Sequence, residues 1–563
     1  MRICLAGEGD TLITIATKFQ AKLDQLVALN PQIGSPNLNI AGRHVMLPPA
    51  ISNIHRAPGS ISSEATGETD DIPPSCPPEQ PAADYLEQWI PLTSVEQMAE
   101  QEYDALIVGT GAGGGAALWR LCQQWSTEGK RIGVVEAGEV LLPTHAGNIP
   151  TFNGERQWKY FSNPKITQFI GKSLPEYAGA KLLLALGGRT LQWGFVTPRM
   201  PYSVTSQWPV TPQEMELYYN IAEKEMYVNG DYTKESSITE IVLQRLWTGG
   251  FPESDYIPLS ADLQQTKYGE IHSNVFFSSL IFLGRALNLM PFDLAVKARA
   301  VQVTTANHTA TGVRVMTPDK QSHWLKAKNV ILSASAFESP RILLNSGIRG
   351  HAIGRYLTNH SMLATVGTIE TRDFPEVVGN LGIIIPQTDD RPFQLQLHGP
   401  GDYYRYHYEA KPIREQWSLG LLGFGEVEPR FENRLSLDPL KRDEYGIPEI
   451  QIHFSYSERD QAIIRSTVSA MQQAASASGI RLRTENNQPD ICLALPGADN
   501  HESGTCRMGD DPMTSTVNRY GQVHGISGLY VADNSVLPSI GAVNPTLSTV
   551  ALAIRTADYI VSR

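Results

Sequence analysis

Apolar positions recur along this chain at different spacings, and each spacing predicts a different element. In the first 48 residues, Leu12, Ile15, Ala16 and Phe19 share one helical face. Leu23, Leu26 and Val27 suggest a second helix that stops at Asn30-Pro31. Ile3-Cys-Leu5 and Val45-Met-Leu47 read as short strands, and Gly9-Asp-Thr11 as a turn with Asp10 as the first helix's N-cap. The predicted order is strand, helix, helix, strand. Residues 49–84 lose all periodicity and are rich in Pro, Ser, Gly and acidic side chains. Such a stretch buries too little apolar surface to fold alone and reads as a partly stiff linker.

A second pattern starts at an amphipathic stretch, Tyr85 to Glu102. The apolar run Ala105-Leu-Ile-Val108 predicts a buried strand, Ala117, Leu118, Leu121 and Trp125 a helix, and Ile132-Gly-Val-Val135 a second strand. Residues 139–180 suggest loops and short elements. A helix is expected over 212–227, alternating strands from Leu294 to Val315, and a buried strand at Val330–Ala336 before a helix opened by Glu338-Ser-Pro340. Residues 360–500 alternate in β fashion around Phe393-Gln-Leu-Gln-Leu-His398, Leu435-Ser-Leu437 and Ile450–Phe454, with one helix from about Glu458 to Ser478. A last helix runs from Leu547 to about Val561.

The chain's 563 residues exceed one hydrophobic core and imply several domains. The net charge of -12 argues against a nucleic-acid surface. Five scattered cysteines form no C-x-x-C pair, so no disulfide scaffold, zinc site or attached haem is predicted, and no metal site at all. No apolar run reaches membrane-spanning length, and the first residues have too short an apolar core for an export signal. A cytoplasmic location is the default expectation.

The glycines between strand and helix carry the first chemistry. Gly109, Gly111 and Gly114 fit G-x-G-x-x-G, with Ala112 and Gly113 between them. The first glycine makes the turn, the second lets a pyrophosphate approach the backbone, and the third lets helix pack on strand. Unpaired N–H groups at the helix start would hold the pyrophosphate. Glu136, followed by Ala137, ends the second strand roughly 20 residues on, where a carboxylate can accept ribose hydroxyls. The flanking strands turn a weak motif into a dinucleotide site on a Rossmann-like sheet.

Further on, Gly187-Gly188-Arg-Thr190-Leu-Gln192-Trp193-Gly194 forms a loop able to lie against a flat ring system. Towards the C-terminus come Asn500-His501-Glu-Ser-Gly-Thr505, a stretch containing Asp533, and Asn544-Pro545-Thr546. Asn544 is a good N-cap and Pro545 suits a first helical turn. A helix start there would also favour negative charge on a flavin's N1–C2=O edge.

Together with Glu136-Ala-Gly138, Glu338-Ser-Pro340 and Asn359-His360, these motifs occur in the order seen in glucose-methanol-choline (GMC) flavoprotein oxidoreductases, which residues 101–563 resemble. The resemblance implies a Rossmann-like FAD-binding domain (85–205, 291–360 and 500–563) with an inserted antiparallel-sheet substrate domain (361–499, with 206–290 mostly belonging to it). It implies oxidation of an alcohol to a carbonyl, with His501 as base and Asn544 holding the substrate oxygen. FAD contacts are expected from residues 109, 111–114, 136–137, 187–188, 190 and 192–194, and from Ala300, Ala334, Asp533, Asn544, Pro545 and Thr546. The 187–198 loop is closest to the pyranose-oxidase-like branch. Where some of those members attach the flavin through a histidine this chain has Gln192, which implies non-covalent FAD. Sugars, glycosides or polyols are the substrates implied, with oxygen or a quinone-like or dye acceptor taking the electrons. His398, His407 and His453 are expected to be structural or surface residues.

Residues 1–48 resemble a LysM module through Gly9-Asp-Thr-Leu12, Ile15-Ala16, Leu29-Asn-Pro31 and Asn37-Leu38. That family binds N-acetylglucosamine-containing glycans such as peptidoglycan, which adds a glycan-associated coat or a lysis-released location to the possibilities. Two rival readings are a glycan-anchored structural protein with an inactive flavin domain, and a redox-neutral flavoprotein lyase on the same scaffold.

Overall fold

Asn30 explains why the N-terminal unit closes. Buried at the end of the second helix, its side-chain amide donates to the carbonyls of Leu26 (2.7 Å) and Met46 (2.8 Å), and its oxygen accepts from the Met46 N–H (2.7 Å). It thereby ties helix Leu23–Leu29 to strand His44–Leu47, which pairs antiparallel with strand Arg2–Leu5. In this computed structural model residues 2–47, 89–265, 271–374, 380–400 and 415–563 are described, apart from positions 20, 150, 153 and 235. The linker expected at 49–84 lies outside them, as does His407. Leu12, Ile15, Leu26, Ile40 and Val45 make the small core. One detail differs from expectation. Thr11, not Asp10, caps helix Leu12–Lys18, exchanging hydrogen bonds with Thr14, while Asp10 accepts from the Gly7 N–H at 2.8 Å. A hydroxyl one residue further on closes the reciprocal capping box, which a carboxylate at position 10 is one residue too early to do.

The large unit begins with the short helix Val95–Ala99 and contains two seven-stranded sheets. The first is centred on strand Glu102–Val108, which runs parallel to Ile132–Val135 on one side and to the end of Ser322–Leu332 on the other. Asp293–Ala295 and Leu529–Val531 extend it in parallel, and the strands Arg299–Ala306 and Thr309–Met316 complete it antiparallel. Helix Ala112–Trp125 buries the predicted Ala117, Leu118, Leu121 and Trp125. It packs against the C-terminal helix Thr546–Val561 and against Leu280–Leu289.

The second sheet is antiparallel throughout. Its central strands, His360–Glu370, Gln416–Glu426, Phe393–Gly399 and Leu381–Ile385, lie side by side in that order. Helix Glu458–Ser478 covers one face, with the boundaries its periodicity predicts. The helix expected over 212–227 is Pro212–Met226. The helix expected from Glu338 starts three residues earlier, at Ser335, because the strand before it ends at Leu332. Among the described residues, no helix is long and apolar enough to cross a membrane.

Candidate active site

The glycine turn is shaped by what crowds it. Gly109 has φ +97°, and a Cβ there would lie 2.4 Å from the Ser333 carbonyl. A Cβ on Gly114 would sit 2.0 Å from the Gly109 carbonyl, so the third glycine lets helix Ala112–Trp125 press onto the turn. Gly111 differs, since its Cβ would meet nothing within 4 Å. It borders a cavity of 480 Å³ into which the helix N-terminus opens with no capping side chain. Uncapped N–H groups beside a glycine are what an anionic phosphate requires.

Glu136 is buried at the same end. Its Oε2 accepts from the Thr110 N–H (3.0 Å) and hydroxyl (2.6 Å), and its Oε1 from the Gly138 N–H (2.8 Å). Oε1 keeps a lone pair for a ribose hydroxyl. Burial pushes this carboxyl above its usual range, against the pull of those donors. Thr110 also accepts from the Gly187 N–H (2.9 Å), which joins the turn to the 187–194 loop.

Of the expected cofactor contacts, Gly109, Gly111, Ala112, Gly113, Glu136, Ala137, Gly188, Thr190, Gln192, Trp193, Gly194, Ala300, Ala334, Asp533, Asn544 and Thr546 line the cavity. Gly114, Gly187 and Pro545 do not. Gly114 is turned into the helix–strand contact, Gly187 (φ +95°) makes the bend that precedes the loop, and Pro545 occupies the cap of the last helix. Asp533 lines the wall, but its oxygens already accept from Ser335, Ser339 and Ser535. It therefore organises the backbone beside the cavity.

The same cavity is lined by His501 and Asn544. Asn500 has φ +60°, a left-handed conformation that Asn tolerates, just before His501. Arg189 of the 187–194 loop holds this segment through Glu502 (2.6 Å) and the Asn500 carbonyl (3.1 Å). Asn544 does not cap the last helix, contrary to expectation. Its Oδ1 accepts from Gln394 (3.0 Å) and Gln396 (2.8 Å), alternate residues on one face of a sheet strand. Two buried amide donors outcompete the backbone N–H groups, and the Asn544 NH2 is left as the group it can offer.

His501 Nδ1 lies 2.9 Å from His360 Nδ1, and Asp499 Oδ2 is 3.6 Å and 3.7 Å from the two rings. These three side chains are close enough to hold a cation. With the two rings bonded directly to each other, we read them as a hydrogen-bonded cluster. Burial lowers His501 to about 4 and raises Asp499 to about 6. At neutral pH the cluster therefore carries a neutral imidazole beside a carboxylate. Met362, Leu422 and Phe424, also from the sheet, give the cavity its apolar wall.

Strand periodicity marked Gln394 and Gln396 as sheet residues without suggesting a role. The signal was polarity on a face that proves buried. Asp499 gave no signal, and His360 only its place in a motif. His398 is buried and His453 is about half exposed, and neither lines the cavity.

Residues 103–362 and 429–553 match the N- and C-terminal parts of the GMC oxidoreductase family. The chain belongs to that family. It is an FAD-dependent oxidoreductase of CH–OH groups, and residues 7–41 match the LysM domain. Relatives of this GMC oxidoreductase include 2-methyl-1,2-propanediol dehydrogenase of Mycolicibacterium austroafricanum, 26% identical over 82% of this chain and 95% of the relative. C-glycoside 3-oxidase of Arthrobacter globiformis is 28% identical over 67% and 73%, and pyranose 2-oxidase of Tricholoma matsutake 24% identical over 70% and 75%. Pyridoxine 4-oxidase from Mesorbium loti shares the fold, with a TM-score of 0.56 at 16% identity over 81% of this chain and 99% of that one. The cavity fits the family's cofactor. Gly111 and Gly194 border open space, Glu136 retains an acceptor, and two helix N-termini without side-chain caps reach the wall.

Proposed function

We propose that this protein oxidises a hydroxyl of a sugar, glycoside or polyol to a carbonyl, with His501 as the base. The observation that carries this reading is the single cavity that runs from the glycine turn to His501 and Asn544. FAD, when bound, supplies the two-electron acceptor for the carbinol hydride. The chain's own residues do the rest. The Asn544 NH2, oriented by Gln394 and Gln396, donates to the substrate oxygen and aims the carbinol carbon. His501 takes the hydroxyl proton. Met362, Leu422 and Phe424 limit the water around it. A carbohydrate substrate is supported by the relatives that act on pyranose and C-glycoside, and a GlcNAc-glycan ligand by the LysM domain.

The test is a panel of D-glucose, D-xylose, methyl β-D-glucoside, glycerol and benzyl alcohol mixed anaerobically with the purified yellow protein. Bleaching by a sugar or polyol is expected. No bleaching by any member, or bleaching by benzyl alcohol alone, overturns the carbohydrate reading. Flavin attachment is a separate matter. Gln192 stands at the cavity wall with an amide, which lacks the nucleophilic nitrogen that a histidine would bring. Acid precipitation is expected to release all the flavin into the supernatant, and colour remaining in the pellet would mean a covalent bond.

A further inference from the structure

Two nitrogens facing each other at 2.9 Å pose a question of protons. One of His360 Nδ1 and His501 Nδ1 carries a hydrogen and the other accepts it, because two lone pairs or two N–H groups at that distance would repel. The role given to His501 decides which, and the burial of His360 is consistent with it. Its Nε2 is buried and makes no hydrogen bond of normal geometry. The backbone carbonyls of Ile540 and Gly541 lie beside the ring and favour a proton on it. Burial, and then the neighbouring His501, push the ring strongly towards neutrality, so it holds one proton. A base at His501 must present a bare Nε2, so its own proton sits on Nδ1, and His360, with its one proton on Nε2, accepts through Nδ1.

We infer that His360 and Asp499 are positioning residues for the base. His360 Nδ1 accepts from the Nδ1–H of His501, which fixes the tautomer that leaves the His501 Nε2 lone pair for the substrate hydroxyl. The Asp499 carboxylate, 3.6–3.7 Å from both Nδ1 atoms, holds the positive charge that arises when the hydroxyl proton arrives at Nε2. No other proton moves in this step: the O–H bond breaks, the Nε2–H bond forms, and the cluster goes from one negative charge to none. Asp499 is itself held by the His360 N–H (3.0 Å) and the Asn359 amide (3.3 Å). The other charged or titratable groups facing the cluster are Glu502 and Arg189 beside His501, Tyr177, Tyr456 and Lys181 around Asp499, and Arg189 again beside Asp499. Glu502 is paired with Arg189, and the Asp499 carboxylate lies 3.7 Å from His501 Nδ1.

This inference rests on the base role given above to His501, and its test has one arm that needs no turnover. In protein labelled with [15N]histidine, His501, identified by its absence from His501→Gln, is expected to show a protonated Nδ1 and a bare Nε2. A bare Nδ1 in the wild type overturns the inference. The second arm follows flavin bleaching by the fastest member of the panel. His360→Leu keeps bulk but removes the acceptor, and a loss of about 10²–10³-fold in rate is expected with little change in the half-saturating concentration. His360→Asn, whose side-chain oxygen replaces Nδ1, is expected to restore the rate to within about tenfold of wild type. Asp499→Asn removes the charge that raises the proton affinity of His501. The acid limb of its rate profile is therefore expected at lower pH, with a plateau about tenfold lower. Wild-type rates in His360→Leu, or an unmoved acid limb in Asp499→Asn, overturn the inference. If His360→Leu does not fold, the tautomer and the Asp499→Asn profile decide. A wild type that no alcohol bleaches sinks the proposed function instead and leaves the tautomer result standing.

Discussion

Replacing His501 by alanine is expected to leave FAD bound and to lower turnover by roughly two to four orders of magnitude, the contribution of a positioned general base. The flavin is expected to stay because the glycine turn, Glu136 and the 187–194 loop, which fit it, are left intact. Substrate affinity is expected to change less than rate, since the Asn544 amide still offers its N–H to the hydroxyl oxygen. Removing the ring deprives His360 Nδ1 of its partner, but the site is polar, opens to the cavity and can admit a water, so the fold should persist. Anaerobic stopped-flow bleaching with the fastest substrate, alongside the absorbance ratio of flavin to protein, checks both halves. In the wild type the rate should fall as pH drops into the region of about 4 to 6, where His501 and Asp499 take up protons, and it should hold above it. The alanine variant should lose that dependence. Turnover close to the wild-type value would remove His501 from the role of base.

Gly111→Leu is expected to abolish flavin loading without unfolding the chain. The glycine's φ is −63°, a value any residue adopts, and a Cβ there touches nothing within 4 Å. The added side chain therefore costs little strain, and its carbons project into the space at the helix N-terminus that the pyrophosphate needs. Neighbouring positions show why this one separates binding from folding. A Cβ on Gly113 would lie 1.9 Å from the Ala532 carbonyl, so substitution there would push apart helix and strand and report on stability. Purified Gly111→Leu should be colourless, with an apo-protein melting temperature close to that of wild-type apo-protein. A fully yellow variant would count against a phosphate at this helix end.

Local elements were legible in the sequence because short-range periodicity determines them. Helices Pro212–Met226 and Glu458–Ser478 and the strand–turn–helix around Gly109 are of this kind. Cap positions were less legible because side chains compete for them. Thr11 displaced Asp10, and Asn544 gave up its cap to two glutamines more than 140 residues away. The same long-range convergence hid the rest of the site. His360 and Asp499 stand 139 residues apart and meet only when the start of a sheet strand lies against the segment before His501. Gln394 and Gln396 alternate as any half-buried strand would, and nothing local says that their face looks onto an asparagine two residues before the last helix.

The two glutamines that fill the Asn544 oxygen have a consequence for the end of the reaction. An amide left with hydrogens alone to offer grips a ketone or aldehyde as readily as an alcohol, since both present lone pairs. In the proposed reaction the imidazole, once it has gained its proton, becomes a giver too, and the newly made carbonyl would be gripped from both sides. Departure of product is thereby coupled to loss of that proton, and the cycle closes when the imidazole is once again bare.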